Sequence, residues 1–146
     1  MTDEQIISGI GTILRAYATA PLKDCEVHEG DQVGYEGKAG SVRILPVGGA
    51  EIGEAIGEQF AADVKLEIAG RITFADSQAN WTTILSLAKQ IRYCLRGANR
   101  RLVIGSETTT RNTAITWTYG FEAEGDKLFR TCSVLVTYRA TEEAAT

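Results

Sequence analysis

The chain has 146 residues, is 44% hydrophobic and 23% charged, and carries a formal net charge of −4 with a pI near 5.1. These values fit one ordinary globular domain that buries roughly 70% of its unfolded surface. They argue against general nucleic-acid binding, and no run approaches the ~20 apolar residues of a membrane helix. Cys25, Cys94 and Cys132 show no Cys-x-x-Cys spacing, and the start Met-Thr-Asp-Glu-Gln is acidic; both features point to a reducing compartment without a secretory leader.

Asp3–Ala18 is predicted to be an amphipathic helix, with Ile6, Ile10, Ile13, Leu14 and Tyr17 at helical spacing. Thr2 or Asp3 can cap its first turn, and Pro21 lies at or just beyond its end. Gly9 and Gly11 weaken it by up to ~1 kcal/mol each relative to Ala, as glycines kept for close packing do. Lys23–Val27 reads as a short strand. His28–Ser41, with four glycines, reads as a loop or irregular hairpin. Ser41–Val47 alternates Val42, Ile44 and Pro46 against Arg43 and Leu45, a strand that Pro46 ends or places at an edge. Gly48–Gln59 is glycine-rich and acidic; the spacing of Ile52, Ile56 and Phe60 allows a short helical turn, and the glycines allow a mobile loop equally well.

Phe60–Phe74 is the clearest pattern. Phe60, Ala62, Val64, Leu66, Ile68, Gly70, Ile72 and Phe74 alternate with a set that includes Asp63, Lys65, Glu67, Arg71 and Thr73. Strict period two predicts an antiparallel strand with one buried face, spanning ~50 Å if fully extended. Gly70 is the expected place for a bend or bulge. Asp76-Ser77 stops the strand, and Ala79–Arg96 follows as a helix with the stripe Trp81, Ile84, Leu85, Ala88, Ile91 and Leu95. Asp76 or Ser77 is the natural N-cap and Gly97 the natural C-cap; Arg92 and Arg96 complement the helix dipole. Arg101–Gly105 is a short strand. Thr113–Glu122 and Leu128–Arg139 form a hairpin around Glu124–Lys127, and Thr141–Thr146 is a frayed tail. The expected fold is α+β: a mainly antiparallel sheet with two principal helices on one face, in the order α-β-β-β-α-β-β-β, as a single domain with a glycine-rich acidic loop region at about 29–59.

No pattern in the sequence specifies catalysis, a metal or a cofactor. His28 stands beside Glu26, Glu29 and Asp31 but lacks the two- or three-ligand spacing of metal sites. The glycines at 48, 49, 53 and 57 lack Gly-Lys-Ser/Thr, and Glu51, Glu54 and Glu58 would repel phosphate. Trp81 and Trp117 are expected in the core. Cys94 and Cys132 are expected as small core hydrophobes.

Charge is divided along the chain. Asp24–Asp63 holds nine acidic residues against Lys38 and Arg43, whereas Ser77–Phe121 holds six basic residues against Glu107. Solvated faces of unlike sign would explain this, as would an acidic face of one copy meeting a basic face of the next.

The run VKLEIAGRITFAD, its Asp-Ser corner, the helix NWTTILSLAKQIRYCLRG, a short strand, a hairpin closing in SVLVTYRA, and the leading helix EQIISGIGTILRAY together resemble the tail-terminator and minor tail proteins of long-tailed bacteriophages and gene-transfer agents. The likeness covers nearly the whole chain in element order. It implies a virion protein without catalysis or cofactor, in a ring, usually sixfold, that caps the tail tube and meets the head connector or stopper. The implied partners are further copies of the chain, the tail-tube protein and the connector. No membrane or specific nucleic-acid partner is expected, although DNA passes through such a lumen. On that reading Arg96, Arg100, Arg101 and Arg111 are expected to face Glu51, Glu54 and Glu58 across subunits, and the loop Glu29–Gln59 is expected to order on docking. Another neck or tail post (stopper, completion protein or tube subunit) and a small cytosolic ligand-binding domain are the alternatives.

Overall fold

The computed structural model describes residues 2–30, 40–56, 59–73, 77–105, 107–109 and 112–143. Helix α1 (Asp3–Arg15) is followed by strands β1 (Cys25–Glu29), β2 (Gly40–Ile56) and β3 (Gln59–Thr73). Helix α2 (Ser77–Cys94) then leads to β4 (Val103–Ile104), β5 (Glu107–Thr108), β6 (Thr113–Glu124) and β7 (Lys127–Glu143). The main sheet has the order β1-β2-β3-β7-β6 and is antiparallel except for the β1–β2 pair; β4 and β5 form a separate two-stranded ribbon. This is the α+β order expected from the sequence, with one extra two-residue strand.

The alternation of β3 sets the architecture. Its even residues Val64, Leu66, Ile68 and Ile72 are buried with Val42 and Ile44 of β2 and with Cys132, Val134, Val136, Tyr138 and Ala140 of β7. Both helices cover that face, α1 through Ile6, Ile10 and Leu14, and α2 through Ile84, Leu87, Ala88 and Ile91. Thr2 closes α1 with a capping box: its hydroxyl accepts from the Gln5 amide at 3.2 Å, and the Gln5 side chain accepts from the Thr2 amide at 2.8 Å. Gln90 of α2 ties down the turn before β1, accepting from the Leu22 amide and donating to the Ala20 carbonyl.

The opposite face is open and polar. Arg139 binds Asp63 at 2.9 Å, the Ser133 hydroxyl donates to Glu67 at 2.6 Å, and Arg71 reaches Glu122 and Glu124 while lying 4.4 Å over the Phe129 ring.

Several expectations need correcting. Gly48–Ile56 is neither a loop nor a helical turn; it continues β2, because β3 offers it a fully patterned partner out to Gln59. Docking therefore has no loop to order over 40–56, and 31–39 lies outside the described residues. The register shifts fall on β2, after Pro46 and after Ile52, and on β6 between Thr113 and Thr116, and not at Gly70, which pairs in regular register with both Val42 and Cys132. Gly70 is instead a packing site: a Cβ there would lie 2.9 Å from Leu87 Cδ2 and 2.9 Å from Cys132 Sγ. His28 is not a loop residue; it belongs to β1, with Nε2 3.3 Å from Glu26 Oε2. The close-packing reading holds for Gly9, whose added Cβ would approach Ile104 to 3.2 Å.

Candidate assembly surfaces

The predicted basic group gathers around the end of α2. The last turn tightens, with Leu95 and Arg96 amides donating to the Arg92 and Tyr93 carbonyls, and Gly97 supplies a positive φ of 61° before a 3₁₀ turn over Gly97–Arg100. A buried polar network pins this corner. Asn112 Nδ2 donates to the Leu95 carbonyl at 2.8 Å and to the Tyr138 hydroxyl, which itself donates to the Asn99 carbonyl at 3.3 Å. Burial raises the Tyr138 pKa, against a smaller opposing effect of the Asn112 hydrogen bond.

Arg96, Arg100 and Arg101 are all exposed. Arg96 and Arg100 line one hollow with Asn112, Ala114 and Ile115 at the start of β6. Arg101 turns instead toward α1, lining a groove with Gln5, Ser8 and Ile13. The expected basic cluster is thus two groups rather than one. Arg111 lies outside the described residues.

On the acidic side, Glu51 is exposed on β2 beside Asp63, in a hollow that also includes Asp3. Glu54 is part of β2 by its backbone, its side chain being outside the described set, and Glu58 is outside it altogether. Beyond the row Lys65–Thr137–Thr113 the sheet narrows to β2, β3 and β7, and Glu51 sits on this three-stranded arm. Strand order places Glu51 and the Arg96–Arg100 hollow on opposite flanks of the sheet.

Trp81 and Trp117, expected in the core, lie instead at the surface, in a group of aromatic side chains. Trp117, Tyr119 and Phe121 point to the helix side of β6 but are 42%, 36% and 59% exposed, and Trp81 on α2 is 41% exposed. Arg92 lies 3.7 Å over the Trp117 ring, Arg130 lies 4.6 Å over Trp81, and Trp81 meets Tyr119 edge to face at 6.0 Å. Farther along α2, Lys89 and Arg96 flank the exposed ring of Tyr93. Tryptophan, tyrosine and arginine are the side chains that dominate protein interfaces.

Among the described residues no group of three His, Cys, Asp or Glu converges as a metal site would, and no helix is long and apolar enough to cross a membrane. Burial pushes the Cys94 thiol up to about 11 and the Cys132 thiol up to about 12, so neither is a thiolate near neutral pH. No family model and no curated protein matches this chain.

Proposed function

We propose that this chain is a structural assembly subunit, a tail terminator of a long-tailed bacteriophage or gene-transfer agent whose ring closes the tail tube and meets the head connector. The observation that carries the reading is the division of charge across one sheet: acidic Glu51 on the β2 flank, basic Arg96 and Arg100 on the β6 flank. Two unlike, complementary patches on opposite sides of a subunit are what a head-to-tail ring requires. The element order, α-β-β-β-α followed by a short strand and a closing hairpin, supports the terminator over an unrelated scaffold. On this reading the chain acts in the virion and uses neither a catalytic centre nor a cofactor.

The test is placement. An epitope-tagged chain expressed in cells producing the particle is expected to enter virions, with antibody-gold at the head–tail joint. Label along the whole tail would instead make the chain a tube subunit. Particles carrying no label, with the chain monomeric in the cytosol, would support the ligand-binding alternative and end the structural reading.

A further inference from the structure

The two helices share one face of the sheet without covering all of it. Helix α1 packs on β1 and β2, and α2 packs on β7 and β3, but neither packs along β6. What stays bare there is apolar. Trp117, Tyr119 and Phe121 form a floor, and Trp81 and Leu85 of α2 form a wall; all five are exposed. Trp81, Leu85, Lys89 and Arg92 are spaced at four, four and three, so they share one side of the helix. The contacts of Trp81 with Tyr119 and of Arg92 with Trp117 turn that side toward β6. Strand and helix thus bound a trough open to solvent.

The trough has the width of a helix. Packed helices lie about 8–10 Å apart, so a helix set beside α2 falls over β6 and extends the layer that α1 and α2 begin. Charge states what that helix carries. From Ser77 to Cys94, α2 holds no Asp or Glu. Arg15, Arg71 and Arg139 each have a carboxylate partner. Among the described residues Lys89 and Arg92 have aromatic rings instead, Tyr93 and Trp117, and Arg92 Nε is buried without a hydrogen bond. A guanidinium so placed is completed by a carboxylate. Neither helix of a second copy fits, because both bury their apolar faces in their own core. A nucleic acid would supply anions but not the aliphatic side chains that suit Leu85 and Phe121.

We propose that this trough is the docking site for an amphipathic helix of another protein, its apolar stripe on Trp117, Tyr119 and Phe121 and its acidic edge against Lys89 and Arg92. The mode is a helix in a groove, with apolar anchors at i, i+3, i+4 and i+7. Arg96 and Arg100 lie beyond the end of α2 and take no part. The site therefore does not rest on the terminator reading and leaves its ring contact untouched.

The chain's two tryptophans, Trp81 and Trp117, both line the trough, so their fluorescence reports on it directly. The probe is a synthetic, tryptophan-free helix of about 18 residues, with leucine at the anchor positions and glutamate along one edge. One control carries lysine in place of glutamate, and the other is a scrambled peptide of the same composition. The glutamate peptide is expected to shift the tryptophan emission of the full chain to the blue, with a Kd on the order of tens of micromolar, and to bind at least about tenfold more tightly than either control. Lys89→Glu with Arg92→Glu is expected to invert the preference toward the lysine peptide, with circular dichroism unchanged. Lys89→Glu alone, a change at an exposed side chain resting on the Tyr93 ring, is expected to narrow the preference if the double variant does not fold. No emission shift with the glutamate peptide at about 200 µM, or equal binding of all three peptides, overturns the proposal. Tighter binding of an oligothymidylate of about 20 nucleotides also overturns it, and makes the trough a nucleic-acid site. A blue shift on concentrating the chain alone, with a doubled mass, overturns it in favour of a second copy. Rings without peptide binding would remove this site and spare the terminator reading; peptide binding without rings would do the reverse.

Discussion

The guanidinium of Arg92 lies 3.7 Å over the ring of Trp117 and so joins the last turns of α2 to the edge strand β6. Trp117 nevertheless stays 42% exposed. A half-exposed stacked pair of this kind is worth about 1 kcal/mol. Arg92→Ala is expected to lower stability by about that amount in urea and to shift the tryptophan emission to the red, with the far-ultraviolet circular dichroism unchanged.

Gly70 makes a sharper case. Leu87, fully buried, packs where a Cβ on Gly70 would go. Gly70→Ala is expected to destabilise by about 1–3 kcal/mol through overpacking, and Leu87→Ala by about 2–5 kcal/mol through the cavity it leaves. The double variant is expected to lose less than the two separate losses combined, because the new methyl occupies part of the space vacated. Equilibrium unfolding of the four proteins measures this coupling.

The corner carrying Arg96 and Arg100 depends on Tyr138. Tyr138→Phe removes the hydroxyl between Asn112 and Asn99 and leaves the buried Asn112 amide and the part-buried Asn99 carbonyl each with one bond fewer. The expected cost is about 1–3 kcal/mol. Amide hydrogen exchange is expected to rise locally at 95–100 and at the start of β6.

Stability is expected to fall as the solution becomes alkaline. Cys94 and Cys132 are raised from 9.0 to about 11 and about 12, and Tyr138 is raised above 10.0, each mainly by burial. A group with a raised folded pKa favours the folded state fully below its unfolded pKa, and that contribution is lost as pH climbs toward the folded value. The decline therefore begins near pH 9, and Cys132→Ala is expected to flatten it. Denaturant midpoints measured from pH 7 to pH 11 check the slope.

The fold was legible wherever periodicity was strong. The even residues of β3, the alternation of β7 and the capping residue Thr2 each announced their place. The continuation of β2 through Gly48–Ile56 was not legible, because its strand state comes from pairing with β3 and not from its own glycine-rich composition. Trp81 and Trp117 carried the correct period but the wrong depth. Periodicity tells which face a side chain shares; strand order, absent from the sequence, makes β6 an edge and leaves its inner face half uncovered. The acidic and basic groups were visible as runs of charge, whereas their separation onto opposite flanks, and the turning of Arg101 away from Arg96 and Arg100, came only with the fold.

The central claim is that this subunit closes head to tail into a ring through its charged flanks. Negative-stain electron microscopy of the purified chain over rising concentration, beside an Arg96→Glu and Arg100→Glu double variant, tests it most directly. The account predicts closed rings of one rotational symmetry for the unmodified chain and none for the variant at the same concentration and salt. Unmodified chain that never forms rings, or rings that survive the charge reversal unchanged, would contradict it.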